Sequence, residues 1–513
     1  MRHLPGAHAC HAFAPRRRRG GAKVPARAAD ILARIDRTEA ESAAFLGVDL
    51  GTSGLKVALV SPDGTVVAES EAGYRVESPE DGWAETDPAH WWSALTGAVA
   101  EMAPLLRSTT IRAVGLAGQM HGVVLCDGSG APLRPAVLWP DRRAEEDLRR
   151  WHGLPAADLA RLANPVVPGM YGPVLAWLAA REPATVEQAA TALFPKDVLR
   201  ARLTGTVGTD RSDASASLLW DVVSDDWSRS VAARTGVPER LLPAVVAPDA
   251  VVGTTSWLAE VVDGASVDVP VVAGAADTPA ALLAAGAGTG LLVNLGTGAQ
   301  VLLAGATPGP VDDPLVHLYA DTEHGWYAMA AVQNAGLAVE WARELLGLTW
   351  VDLVRVVEKV PTTPRTVSFL PFLTGERGGL ARPGSRGAWV GLDQGSTRED
   401  LARAALEAMA FTVRRATELL PDVPPETDTV RLTGGGSREP GVQQLVADVL
   451  GRAVQRVQVR SASATGAAML AARGVGLPLA PSRATGPVRE PEPRPELDDA
   501  YRLWVSRVPV ADA

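Results

Sequence analysis

One motif occurs twice in the 513-residue chain, and that repeat limits the fold more than any other feature. "GVDLGTSGLKVAL" (Gly47–Leu59) aligns with "LVNLGTGAQVLLA" (Leu292–Ala304), which places Asp49 on Asn294 and Leu50-Gly51-Thr52 on Leu295-Gly296-Thr297. Each copy is a pair of apolar runs around a Gly-containing turn, the signature of a hairpin. A second pair follows: "AALLAAG" (Ala280–Gly286) and "AAMLAAR" (Ala467–Arg473) both read as apolar helices entered from a Gly-containing turn. A weaker third pair, "GLAGQMHG" (Gly115–Gly122) and "RLTGGGSR" (Arg431–Arg438), reads as a short strand running into a Gly-rich turn. The three motifs keep their order at unequal spacing. Two related α/β lobes follow, an internal duplication with a large insertion in each half.

The halves differ in their acids. Asp49 in the first opening strand is replaced by Asn294 in the second, and Asp277 before the first apolar helix aligns with Ala464. A buried, unpaired carboxylate is costly, so Asp49 is either paired or holds a cation. Carboxylates suit metal coordination and proton abstraction. Gly-rich turns bring backbone N–H groups close to phosphate oxygens. The pattern therefore points to a two-lobed phosphoryl transferase, with Mg²⁺ and acceptor chemistry in the first lobe and nucleotide on the second.

Charge and cysteine content exclude other classes. There are 49 Lys and Arg against 59 Asp and Glu, a net charge of −10, which argues against a general nucleic-acid binder. Cys10 and Cys126 make no disulfide framework and lack metal-ligand spacing, so a reducing, cytoplasmic setting is expected. The longest uncharged stretch, between Asp277 and Asp312, holds seven glycines and three prolines and reads as strand–turn–strand rather than a membrane span. "RRRRGG" at Arg16–Gly21 is followed by no apolar core of a signal peptide. Residues 1–44 are expected to be a disordered extension, with a short helix near Ala28–Ala40.

Five stretches together resemble the FGGY family of carbohydrate kinases, and within it the xylulose kinases: "GVDLGTSGLK" (Gly47–Lys56), "GLAGQMHG" (Gly115–Gly122), "VVAGAADTPAALLAAG" (Val271–Gly286), "GAWVGLDQGSTREDLARAALE" (Gly387–Glu407) and "LTGGGSREP" (Leu432–Pro440). The resemblance runs from about Phe45 to Gly476. It implies the actin/hexokinase/Hsp70 superfold, two ribonuclease-H-like domains around a central cleft. Residues 45–287 would form the sugar and Mg²⁺ lobe with the catalytic Asp, residues 288–476 the nucleotide lobe, and 477–513 a C-terminal tail. The implied reaction is ATP-dependent phosphorylation of a ketose, D-xylulose first, with sugar and ATP as ligands and a homodimer as the candidate assembly.

The resemblance also assigns residues. Asp277 would be the general base and, with Asp49, would face Mg²⁺; an Asp before Pro279 is equally a natural helix N-cap. Gly51, Thr52, Ser53 and Lys56 would meet phosphate from the first lobe, and Gly296 and Thr297 from the second. Gly434, Gly435, Gly436 and Ser437 would approach adenosine, with Gln443 and Gln444 behind them, although a Gly triplet alone reads as a tight turn. Met120, His121, Trp83, Asp141 and Thr278 would contact sugar, whereas Trp91-Trp92 reads as core. The chain departs from the family pattern at Thr278, where Asn is usual, at Val174, where Lys is usual, in the second phosphate turn Gly296–Gln300, and at Gly378-Gly379. These departures touch the sugar more than the reaction. They leave ribulose, sedoheptulose and glycerol open as substrates, and also a non-catalytic sensor. A chaperone-type ATPase is disfavoured because no β-rich peptide-binding domain follows.

Overall fold

The computed structural model describes residues 43–509 except 287, 359–365, 377, 383, 424–428 and 482–485. The expected N-terminal extension lies outside these, apart from Ala43 and Ala44, which open the first strand. The repeat proves to be an architectural one. The first sheet runs Val66–Gly73, Gly54–Val60, Ala43–Leu50, Thr110–Gly118, Val269–Val272, Val251–Thr255, with Ala275–Ala276 also paired to Thr110–Gly118. The second runs His317–Ala320, Trp326–Val332, Ala299–Ala304, Gly290–Leu295, Val430–Thr433, Val454–Arg456, Val488–Arg489. In both, an antiparallel hairpin is continued by parallel strands on one side. The central strands are apolar along their length because both faces are covered.

Two equivalent helices, Asp277–Ala284 and Ala462–Gly474, meet between the lobes. The later helix lies on the first sheet. It approaches so closely that a Cβ on Gly47 would stand 1.8 Å from the Ala464 carbonyl oxygen, and one on Gly115 1.9 Å from that of Ala467. The earlier helix lies between the sheets, with Ala280 and Ala284 packed with Ala117 and Ala275 of the first and Leu282 and Ala285 in one core with Leu292 and Leu302 of the second. The helices touch each other where a Cβ on Gly466 would meet the Ala280 carbonyl oxygen at 1.9 Å.

The second lobe is built on the 22-residue helix Arg398–Leu419, started by a reciprocal Thr397–Asp400 capping box. The described residues after 476, expected as a tail, are packed: Leu479 is buried with Phe45 and Val60 of the first sheet, and the residues from 488 onward join the second lobe. Val488–Arg489 adds its last strand, and the helix Pro495–Arg507 buries Leu497, Tyr501 and Trp504 along one stripe. The Trp504 indole donates to the Phe369 carbonyl at 2.8 Å. Two contacts cover the edge strand His317–Ala320 from the first lobe: Asn164 exchanges two 3.0 Å hydrogen bonds with the Leu318 backbone, and Ser215 Oγ accepts from Ala320 N at 2.9 Å. Among the described residues, no helix is long and apolar enough to cross a membrane.

The helix contact yields a stability test with opposite signs at two glycines. Gly466→Ala must push two backbones apart and should cost about 1–3 kcal/mol. Gly97→Ala sits on an exposed helix with nothing within 4 Å of its Cβ and should gain up to about 1 kcal/mol from helix propensity. Thermal or urea unfolding of the two variants reads the difference, and equal effects would contradict the close packing.

Candidate active site

Asp49 lies at the end of the first strand, opposite Lys56 in the hairpin register. Lys56 pairs in turn with Glu71 on the next strand at 3.5 Å, so its ammonium is directed along the sheet as well as toward Asp49. Asp49 Oδ1 is buried and has no hydrogen-bond partner among the described residues. Burial, reinforced by the charge of Asp277, pushes the Asp49 carboxyl up to about 7, with Lys56 opposing. The matching position of the second lobe, Asn294 opposite Gln300, carries an amide pair at 3.2 Å.

Asp277 opens the helix Asp277–Ala284, whose N-terminal turn favours the ionised form. Its Oδ1 accepts from Thr278 N at 2.6 Å and from Thr278 Oγ1 at 3.1 Å. Those two bonds lower the carboxyl, but burial dominates and raises it to about 6. Among the described residues only Oδ1 is engaged, so Oδ2 is the oxygen left for an acceptor group. The Thr278 hydroxyl is spent on Asp277.

His121 follows the strand Thr110–Gly118 with φ 70°, left-handed for a side chain that seldom adopts it. Its Nδ1 lies 2.7 Å from the Ala216 carbonyl oxygen, which can only accept. The proton is therefore on Nδ1, and Nε2 is an acceptor. Burial holds the ring down to about 4, neutral at ordinary pH. Met120 is buried beside it, and Tyr319 of the second lobe stands 5.9 Å away, ring to ring.

Gly51, Thr52 and Ser53 form the turn of the first hairpin. Gly51 O accepts from the Tyr74 hydroxyl and, at 3.2 Å, from Gln119 Nε2, while the indole of half-exposed Trp139 donates to Thr52 Oγ1 at 2.8 Å. In the second lobe Gly296 and Thr297 are exposed. The Thr297 carbonyl accepts from Leu337 N at 2.8 Å, which sets the start of the helix Gly336–Leu345 over that turn. Gly434 has φ 84°, and a Cβ there would meet the Leu295 carbonyl oxygen at 2.3 Å, so only glycine fits. Gly435 is exposed and Gly436 half-buried beside it. Ser437 is fully buried and donates to Gly434 O, which makes it a brace of the loop. Gln443 donates to Ser437 O at 2.9 Å, and Gln444 to Asp448 and Glu490.

Two further sugar candidates are engaged within the protein. Asp141 is buried, and its oxygens take four protein hydrogen bonds, from Ala84 N, Arg143 N, Arg143 Nε and Arg143 Nη2, at 2.7–2.9 Å. Trp83 lies beneath the Arg143 guanidinium at 3.7 Å and edge-on to Trp177. Both shape the loops around 83–85 and 139–143. Trp91 is fully buried, as expected of core. Residues that the sequence did not single out include Trp139, Tyr74 and Gln119 at the first turn, and Lys196, Asp210 and Ser212 behind Asp277. Gln119 carried a signal, sitting inside "GLAGQMHG".

The orphaned Asp49 oxygen beside a second carboxylate fits Mg²⁺, which takes one or two carboxylates and completes its shell from phosphates and water. Among the described residues no group of three or more His, Cys, Asp or Glu could cage a metal, which agrees with a cation shared with a phosphate.

Two acids in one lobe and Gly-Thr turns in both define a phosphoryl transferase of the two-lobed α/β type. Residues 44–284 match the N-terminal domain, and residues 291–475 the C-terminal domain, of the FGGY family of carbohydrate kinases. The xylulose kinases of Escherichia coli K12 and Streptomyces rubiginosus are 31% and 34% identical, over 84% and 89% of this chain and 89% and 94% of theirs. The crystal structure of xylulose kinase from Rhodospirillum rubrum superposes with a TM-score of 0.79 at 29% identity, covering 90% of this chain and 98% of that one. The chain belongs to the FGGY carbohydrate kinases and is a sugar kinase.

The raised Asp277 sets a pH test. If this carboxylate accepts the proton of the sugar hydroxyl, kcat/KM should be level well above pH 6 and fall with unit slope well below it. Thr278→Ala removes a bond that lowers this carboxyl, so the acid limb should move to higher pH. An acid limb unchanged in the variant would show that the hydroxyl does not reach Asp277 in solution. Stability runs the opposite way to activity. A carboxyl raised in the fold favours the protonated state, so its contribution is fully present below about 4 and is lost as pH rises through 6.

Proposed function

We propose that the chain transfers the γ-phosphoryl group of ATP to a hydroxyl of D-xylulose, giving D-xylulose 5-phosphate, with Asp277 as general base. The observation that carries this is a buried Asp277 whose Oδ1 alone is engaged among the described residues, at the same end of the first sheet as the buried Asp49. The xylulose kinase relatives supply the sugar. The lobe assignment follows: residues 45–287 hold sugar and metal, and residues 288–476 hold nucleotide, with the helix Ala462–Gly474 lent to the first sheet.

The sugar hydroxyl gives its proton to Asp277 Oδ2 as its oxygen bonds to the γ-phosphorus, and the bridging P–O bond breaks to release ADP. His121 Nε2 accepts a second sugar hydroxyl, and Met120 offers an apolar wall. Gly51–Ser53 and Lys56 from one lobe, and Gly296 and Thr297 from the other, receive the phosphates. Gly434–Gly436 lie under the adenosine. Mg²⁺, held by Asp49 and faced by Asp277, offsets phosphate charge when bound. The two lobes exclude water around the reacting atoms when they close.

A coupled ADP-release assay over D-xylulose, D-ribulose, sedoheptulose and glycerol tests this reading. Release should depend on sugar and be fastest with D-xylulose. Asp277→Asn should cut kcat by about 10²–10⁴-fold with ATP binding retained. Turnover of another sugar but not D-xylulose overturns the substrate, and near wild-type turnover by Asp277→Asn overturns the base.

A further inference from the structure

Behind the reacting acids lies a charged cluster that the chemistry above does not use. Lys196, Asp197, Asp210 and Asp213 are fully buried, and Arg200 is 1% exposed. Lys196 Nζ stands 2.6 Å from Asp197 Oδ1, 2.7 Å from Asp210 Oδ2 and 3.0 Å from Asp213 Oδ2. Arg200 adds a second cation, 2.8 Å from Asp197. Buried ion networks are poor stabilisers compared with apolar packing of the same volume. Five such groups in one place therefore call for a role other than stability.

The cluster leads to the catalytic turn. Asp210 Oδ1 accepts from Ser212 N at 2.7 Å and from the Ser212 hydroxyl. With its hydrogen given to Asp210, Ser212 Oγ accepts from Ala276 N at 2.9 Å. Ala276 is the residue before Asp277. Arg200 Nη1 donates to the Ala273 carbonyl at 3.0 Å, so both ends of the stretch 273–276 are tied to the same charges. Ala216, one residue past the short helix Arg211–Ser215, holds the His121 ring.

We propose that Ser212, fixed by Asp210 and Lys196, is a positioning residue for the general base: it anchors the backbone at Ala276 and so aims the Asp277 carboxylate at the acceptor hydroxyl. The proposal rests on the reading of Asp277 as that base. The direction of the Ser212 bonds follows from Ala276 N, which can only donate: Ser212 Oγ must present a lone pair to it, and its own hydrogen then goes to Asp210 Oδ1. Misplacement of a catalytic group by a fraction of an ångström is expensive in rate while leaving binding intact.

The test uses the full chain, ATP and the sugar turned over fastest in the panel. Ser212→Ala should lower kcat by about 10- to 100-fold, with KM for both substrates within about twofold of wild type. Ser212→Thr, which keeps the hydroxyl, should recover most of the loss; if Ser212→Ala does not fold, Ser212→Cys takes its place with a smaller fall in kcat. The double variant Ser212→Ala/Asp277→Asn should be no slower than Asp277→Asn alone, because a positioning residue has nothing left to position. A wild-type kcat in Ser212→Ala, a loss that appears in KM, or losses that multiply in the double variant would each overturn the proposal. The two readings separate cleanly. A fast Asp277→Asn removes the base itself, whereas a slow Asp277→Asn beside a fast Ser212→Ala removes only the positioning.

Discussion

The crossing of two small-residue helices is the contact on which the rest of the molecule depends. Backbone meets backbone there, with Gly466 against the carbonyl of Ala280, and Gly47 and Gly115 of the first sheet let the later helix come equally close through the carbonyls of Ala464 and Ala467. No side chain fits between, so the distance between the sheets is set by main-chain geometry rather than by deformable side chains. Each helix also carries chemistry into the space it spans. Asp277 opens the earlier helix directly after the strand Ala275–Ala276, while Asp49 ends the strand Ala43–Leu50. The acids come to one end of the first sheet because both strands pair with Thr110–Gly118.

That arrangement explains why a duplicated fold is chemically one-sided. The position of Asp49 in one lobe is taken by Asn294 in the other, and the amide finds a neutral partner in Gln300. A second carboxylate there would face incoming phosphates with like charge. The first lobe accepts the opposite cost. Burial holds its two acids above the ordinary carboxylate range, and a bound cation would draw them back.

Much of this was legible in the chain, because it is local. The hairpin turns, the acids and the Gly triplet are short-range patterns, and duplication makes each pattern appear twice. What could not be read depends on partners distant in sequence. Asp141 looks like a pocket acid until Arg143 and Ala84 N are seen to saturate it. Thr278 reads as a sugar contact, and its bond to Asp277 could not be read beside that. The Lys196 cluster gathers residues from a helix and a loop up to seventeen positions apart, with no periodicity to betray it, and charged residues in a sequence read first as solvated surface. The C-terminal helix was hidden for another reason. Its apolar stripe of Leu497, Tyr501 and Trp504 is interrupted by charges on the opposite face.

The order in which the chain is made gives the late helix Ala462–Gly474 a further meaning. The sheet that starts at residue 43 is covered on one face by residues 462–474, and the core of the second lobe is closed by Trp504. Neither half can finish while the polypeptide is still being synthesised. The emerging first sheet must wait, with Phe45, Ala58 and Ala113 uncovered, for a helix encoded near the far end. Such long-range closure slows folding and leaves adhesive surface on the nascent chain. In the cell this kinase should therefore lean on holdase chaperones during translation, and premature termination anywhere before its last helix should yield insoluble fragments.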